Sequence, residues 1–345
     1  MNMSNNLIIY NLATDLESDV LAAAHDWICE FSHIYDHVLV FSTIVGKTNL
    51  PSNCEVHQIG GRSIVGFSSA FKNLLKSIYT VWNLNGDRKV FYHMNHKAAI
   101  VVAPIFKLLK IKQIIWYSHS KYSFGLKFAS FFVDYCVSTN SETFPFKSSK
   151  FRPIGHGIDQ NKFNLKIRNN NESVNRTQIV ASGRVVQIKN IEKMIEALKD
   201  MNICLQLIGS QPDSLYSEKL ENLSEFNKVS IEFLEPISFI EINKLYSKFS
   251  FAMNCTPISV DKAILEASMC GCIPISDNAN VLKATGMYNF WMRTLEYIPL
   301  IRKQVQYLIQ LNDIDIQNLA KEVSKKTSSN NGLEETIMRI YKLMS

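Results

Sequence analysis

The stretch Ser182-Gly183-Arg184-Val185-Val186-Gln187-Ile188-Lys189-Asn190 decides how the chain is read. Before it, Gln178-Ile179-Val180-Ala181 is an apolar run of strand length. After it, Ile191, Met194, Ile195 and Leu198 recur at helical spacing. The unit is therefore strand, loop, helix, with Asn190 expected as the helix N-cap. A glycine that lets the backbone come close, one cation on the loop and another near the helix start suit an anionic phosphate. Arg and Lys in a surface loop are as often merely solvated, so the surroundings must decide.

Working outward, 345 residues predict two domains, each large enough for its own core. Hydrophobic content of 46% and charged content of 20% are those of a globular protein. A net charge of +6 suits an anionic ligand or an anionic membrane surface. No run of basic and aromatic residues resembles a nucleic-acid module. Seven scattered cysteines argue against a disulfide framework and for a reducing cytosol. Cys270-Gly271-Cys272 is too tight for zinc spacing and reads as small core residues. The first residues carry no charged leader, so no signal peptide is expected. The longest apolar run, 98–106, is about half of a membrane span.

In the first half, Leu7–Tyr10, Val38–Phe41, Val90–Tyr92, Ile114–Tyr117 and Asp134–Thr139 read as strands. Helical stripes lie between them, as at Leu21, Ala24, Trp27 and Ile28. Apolar strands without strict alternation, separated by helices, predict a parallel sheet covered on both faces. Ligands then sit beyond the carboxyl ends of strands. That rule draws attention to Asp15 in the loop 11–18, to His93, to His119 and to His156 between Gly155 and Gly157. A lone histidine is more often structural; position favours His119. Phe67, Phe71, Leu74, Leu75, Ile78 and Trp82 line one helical face, with Lys72 and Lys76 on the other. The helix packs on the sheet or meets anionic lipid. Pro104 is expected to kink or split the next helix. The polar, Asn-rich run 161–177 is the best linker.

In the second half, strands are expected at 204–208, 229–234 and 249–253, the first ending at Gly209. Asp261 is expected to cap a helix over 262–269, with Gly271 as its stop. Glu266 stands in that helix among Ile264, Leu265, Ala267 and Met269. A carboxylate buried there needs a hydrogen-bonding partner, and a ribose diol supplies one. The alternative is a Glu at the helix edge reaching solvent.

A Gly-Arg and a Lys after one strand, a Gly after the next, then a Leu-Glu-Ala-x-x-x-Gly helix: this order resembles glycosyltransferase family 4. Trp116-Tyr117-Ser118-His119 and Gly155-His156-Gly157-Ile158-Asp159 add to it. The resemblance is strongest over 177–276 and spans about 90–345. It implies the α/β GT-B fold, two Rossmann-like parallel-sheet domains facing a central cleft. The expected limits are 1–160 for the acceptor-side domain, 161–177 for the linker and 178–325 for the nucleotide-sugar domain, with a helix within 326–345 bracing the first. It implies that Arg184 and Lys189 hold the diphosphate and Glu266 the ribose. Gly209, Leu234 and Glu235 would flank the base, Asp261, Lys262 and Ala263 would line the donor site, and His119 would reach the sugar. Asp15, His93 and His156 are the acceptor or cleft candidates. The family usually carries a second Glu eight positions before Glu266; this chain has Ile258 there.

The implied activity is a retaining, metal-independent hexosyltransferase. It would move sugar from a nucleotide-sugar to a glycan or lipid-linked acceptor, in lipopolysaccharide, O-antigen or capsule biosynthesis. No metal ligand set and no cofactor are expected. The expected setting is cytoplasmic, with peripheral attachment to the inner membrane face. The alternatives are a sugar-nucleotide epimerase of the same architecture, or a non-catalytic nucleotide-sugar-binding protein, the latter raised by Ile258.

Overall fold

The computed structural model describes residues 4–18, 21–60, 66–119, 121–165, 174–210, 213–235, 237 and 241–345, the side chains of 66–68 excepted. The chain forms two units, one from Met1–Gly157 with Leu333–Ser345 and one from Ile158–Gly332. Of the expected linker, 166–173 lie outside the described residues, as does the side chain of Phe67.

Unit 1 runs β1 (Asn5–Thr14), α1 (Ala23–Ser32), β2 (His37–Val45), β3 (Cys54–Gln58), α2 (Gly66–Trp82), β4 (Asp87–His93), α3 (His96–Leu108), β5 (Lys112–Trp116), α4 (Phe124–Phe132), β6 (Tyr135–Ser138) and β7 (Phe151–Pro153). Its seven strands lie in the order β3-β2-β1-β4-β5-β6-β7, and every pairing is parallel. The unbroken apolar runs follow from this. On β1, Ile8 and Tyr10 pack with α2, α3 and α4, while Leu7 and Ile9 face the opposite layer. Side chains alternate between two buried faces, so neither face shows a polar stripe.

β1 continues four residues beyond Tyr10, through a stretch expected as loop. Polar Asn11 and Thr14 are tolerated there because they bond with Ala13 O (2.5 Å) and Ser42 Oγ (3.1 Å). Pro104 sits within α3 without splitting it. Asn95 caps α3 through Ala98 N–H at 3.1 Å.

Unit 2 runs β8 (Gln178–Ser182), a 3-10 turn (Gln187–Lys189), α5 (Ile191–Ala197), β9 (Cys204–Ile208), α6 (Ser214–Asn227), β10 (Ser230–Leu234), α7 (Ile242–Tyr246), β11 (Phe251–Met253), α8 (Lys262–Met269), β12 (Ile273–Ile275), α9 (Ala279–Thr285), α10 (Met287–Leu295), α11 (Ile301–Gln310) and α12 (Asp313–Asn331). The five strands are parallel, in the order β10-β9-β8-β11-β12. Ile179, Leu205 and Phe251 face the layer containing α5, α10, α11 and α12. Val180, Ile208 and Ala252 face α7, α8 and α9. The chain enters this unit at Ile158, whose N–H donates to Asn331 O at 2.9 Å near the exit.

The last helix, α13 (Leu333–Met344), belongs to unit 1. Leu333, Ile337, Ile340 and Met344 join the layer of Trp27, Ile28 and Phe31 from α1. Thr336 Oγ1 and Arg339 both donate to Ile154 O, at 3.1 and 2.7 Å. The units divide at Gly157/Ile158 and Gly332/Leu333, beside the expected limits of 160 and 325. The residues up to Asn331 continue α12, whose Ser324 Oγ donates to Met269 O of unit 2 at 2.6 Å.

Candidate functional site

Each sheet has one place where strand order reverses, between β1 and β4 in unit 1 and between β8 and β11 in unit 2. Connections leave such a point in opposite directions and open a crevice at the carboxyl ends.

In unit 2, Ser182, Ile208 and Leu234 form one row across β8, β9 and β10. Gly183, Gly209 and Glu235 therefore lead off side by side. Gly183 N–H donates to Ile208 O at 2.9 Å. Gly209 has φ +153° and packs so closely that a Cβ would run into the Gly183 carbonyl oxygen. Only glycine permits this approach.

A narrow pocket at the β8 and β11 ends is lined by Ser182, Gly183, Arg184, Lys189, Met253 and Asn254 among others. Arg184 is exposed and has no hydrogen bond or ion pair among the described residues. Lys189, at the end of the 3-10 turn, pairs with Asp261 Oδ2 at 2.5 Å. Asn254 Nδ2 and Thr256 Oγ1 donate to the same oxygen, each at 2.6 Å. Burial pushes the Asp261 pKa up, but the Lys189 charge and the bonds from Lys189, Thr256 and Asn254 more than offset it. The net shift is downward, so Asp261 is an anion.

Two cap expectations are corrected here. Asp261 occupies the N-cap position of α8 with extended backbone, yet its side chain makes no cap bond. Its carboxylate is drawn instead to Lys189, because an ammonium attracts it more strongly than a backbone N–H. Asn190 is left-handed, φ +50°, and does not cap α5. Its Nδ2 donates to Cys255 O at 3.0 Å, which ties the Arg184 loop to the loop after β11.

Glu266 is 6% exposed, which sets aside the alternative of a helix-edge Glu reaching solvent. Its Oε1 lies 3.0 Å from Lys262 Nζ, one helical turn earlier, but is not aligned for a hydrogen bond. Glu266 also acts on Tyr246, which is fully buried. Burial first, and Glu266 second, raise the Tyr246 pKa far above that of a free phenol. Ala263, in the first turn of α8, lines a second small pocket with Ser182 and Asn254. Thus Arg184, Lys189, Asn254, Asp261, Lys262, Ala263 and Glu266 gather at one reversal point. Leu234 and Glu235 lie two strands away, Leu234 half-buried and Glu235 exposed. Asn254 and Thr256, which fix Asp261, went unread in the sequence. Ile258, where a second acid was looked for, is 56% exposed.

In unit 1, Asp15 follows β1 and its Oδ1 accepts from Glu17 N–H (3.1 Å) and Lys47 N–H (3.2 Å). His93 ends β4, buried, with its ring 4.8 Å from that of Trp116 and 5.0 Å from that of Trp27. Its Nδ1 donates to Asn11 Oδ1 at 3.0 Å. Burial lowers its pKa to about 4, so it is neutral at pH 7. His119 is exposed beyond β5, where its Nδ1 accepts from Lys121 N–H at 3.0 Å. His156 is flanked by Gly155 and Gly157, at φ +88° and +64°. Gly157 O accepts from Trp27 Nε1 at 3.0 Å.

Among the described residues no three His, Cys, Asp or Glu gather as a metal-ligand set, and no helix is long and apolar enough to cross a membrane. No protein-family description and no curated protein matches the chain. Solved structures do resemble it. One is HepE of Anabaena in complex with UDP and glucose, 13% identical, TM-score 0.67, covering 97% of this chain and 98% of that one. Another is a glycosyltransferase from Rickettsia africae, 12% identical, TM-score 0.69, covering 99% and 98%. A third is an alpha-glucosyltransferase in complex with UDP and a mismatched 13-mer DNA, 11% identical, TM-score 0.62, covering 99% of each chain. The fold is GT-B: two parallel-sheet α/β units, matched over their full length by glycosyltransferases.

Proposed function

We propose that the chain is a glycosyltransferase that takes its sugar from a UDP-sugar. One observation carries the reading: Arg184 stands without a partner among the described residues, in the same pocket as Lys189, and Glu266 is buried on the adjoining helix. An unpartnered guanidinium at the carboxyl end of a parallel sheet fits a diphosphate, and a buried carboxylate fits a ribose diol. One solved structure of the same fold holds UDP and glucose, and another holds UDP.

In the proposed mechanism, negative charge grows on the leaving diphosphate as the sugar becomes oxocarbenium-like. Arg184, with Lys189, stabilises that charge from fixed positions. The leaving phosphate oxygen takes the acceptor's proton, so retention needs no side-chain base. His119, at the end of β5, is the proposed sugar contact in unit 1. The family proposed is glycosyltransferase family 4, with retaining, metal-independent hexosyl transfer.

Calorimetry with UDP and UDP-sugars tests the donor site, and proton NMR of the product's anomeric centre tests retention. Full turnover after exhaustive chelation is expected. Absence of binding by any nucleoside diphosphate would sink the proposal. Ile258 favours one other reading, a donor-binding protein without turnover; binding without UDP release against a broad acceptor panel would establish it.

The proposed acceptor is a glycan or a lipid-linked intermediate of lipopolysaccharide, O-antigen or capsule assembly, met at the inner face of the cytoplasmic membrane. Helices α2, α3 and α4 together carry five lysines and no acid. Leu74 and Val81 of α2 are buried, but Phe71, Leu75, Tyr79 and Trp82 form an exposed stripe beside Lys72 and Lys76. Apolar side chains among lysines suit an anionic bilayer. Flotation with anionic liposomes at low salt is the check, and a protein left in the pellet fraction removes the membrane from the proposal.

A further inference from the structure

Asp261 is anchored from one side only. Lys189 Nζ, Asn254 Nδ2 and Thr256 Oγ1 all meet Oδ2, at 2.5, 2.6 and 2.6 Å. Oδ1 has no hydrogen bond among the described residues. The side chain is 16% exposed, so it is mostly withdrawn from solvent. Three donors on one oxygen fix the direction of the other. The expected role of capping α8 is not taken. From Asn254 to Val260 the loop contains no other acid.

An ionised carboxylate oxygen accepts and cannot donate. It repels phosphate oxygens and attracts hydroxyl groups. Its own partner Lys189, with Arg184, lines the pocket proposed for the diphosphate. The group joined to a nucleoside diphosphate at its far phosphate is the sugar. We infer that Asp261 is a specificity-determining residue whose Oδ1 accepts a hydrogen bond from a hydroxyl of the donor sugar, selecting a hexose with a free hydroxyl at that position. The inference rests on the proposed UDP-sugar function. It also assigns Lys189 a divided role: its charge is largely balanced by Asp261, which leaves Arg184 as the main cation for the diphosphate.

The test is a calorimetric panel of UDP and UDP-hexoses that differ at single hydroxyls, with wild type, D261N and K189M. D261N keeps the shape, removes the charge and releases Lys189. It is expected to bind UDP as tightly as wild type or more tightly. It should lose about tenfold to a hundredfold in affinity for the preferred UDP-hexose and stop distinguishing the epimers. K189M leaves Asp261 held by Asn254 and Thr256; UDP should bind more weakly with discrimination retained. Parallel loss of UDP and UDP-hexose in D261N, or discrimination surviving in it, overturns the inference. Should D261N fail to fold by thermal melting, K189M decides, and loss of discrimination there overturns it. Failure of wild type to bind UDP or any UDP-hexose sinks the functional reading itself.

Discussion

The two reversal points share one topology and differ in what their side chains are left to do. At the β1/β4 end, polar groups satisfy one another. His93 donates to Asn11 Oδ1, Asn95 Nδ2 donates to Asn11 O, and Asn11 Nδ2 donates to Ala13 O. Two tryptophans cover His93. At the β8/β11 end, by contrast, Arg184 is unengaged among the described residues and Asp261 bonds through one oxygen. A parallel sheet thus supplies a crevice wherever its order reverses, and chemistry settles where polar groups are left in surplus. The first point should govern stability, the second turnover.

Arg184→Ala should separate them most sharply. If the side chain acts on developing phosphate charge, turnover should fall roughly 10²–10³-fold. The melting temperature should not move, because Arg184 has no partner to lose among the described residues. A drop in melting temperature matching the loss of turnover would put Arg184 in the structure instead. His93 is the counterpart. Its folded pKa of about 4 lies below the unfolded 6.5, so the unfolded state binds the extra proton between those values. Stability is present above pH 6.5 and is lost as pH falls towards 4, by roughly 3 kcal/mol at about 1.4 kcal/mol per pKa unit. Amide exchange of β1 and β4 reads unit 1 alone, and His93→Gln should flatten its acid slope. An unchanged slope would show that other groups carry it.

Gly209→Ala comes next, and it couples packing to the site. A Cβ would strike the Gly183 carbonyl oxygen, which is backbone and cannot rotate away. The cost should be about 1–3 kcal/mol, with weaker UDP binding because the Arg184 loop must shift. A variant as stable as wild type would mean that the two loops separate freely.

Much of this was legible locally. Buried parallel strands announce themselves as apolar runs, and Gly183 and Gly209 stand at strand ends in plain view. Glu266 was conspicuous because a charge among Ile264, Leu265 and Ala267 contradicts its helix. Its Lys262 partner also sits at a spacing any helix brings together. What escaped reading was long-range or polar. The Lys189–Asp261 pair joins residues 72 apart in sequence, so nothing near Asp261 distinguishes it from an ordinary cap. β3 lacks an apolar run because its Glu55 and Gln58 are exposed, and the extension of β1 was hidden by polar residues satisfied from β2 and β4.

Asn190 offers the smallest and most local test of how the surplus at unit 2 is kept in place. It pins the Arg184 loop through Cys255 O while holding a left-handed backbone. Asn190→Gly loses the bond, worth about 1 kcal/mol, and keeps the backbone. Asn190→Ala loses the bond and adds left-handed strain of about 1–2 kcal/mol. Alanine should therefore be the less stable by chemical denaturation, and both should weaken UDP binding less than Arg184→Ala does. Equal stabilities would mean that the backbone relaxes out of the left-handed region once the side chain is gone. The Cys255 bond, and not the turn itself, would then be what holds the cation loop against the loop that carries Asp261.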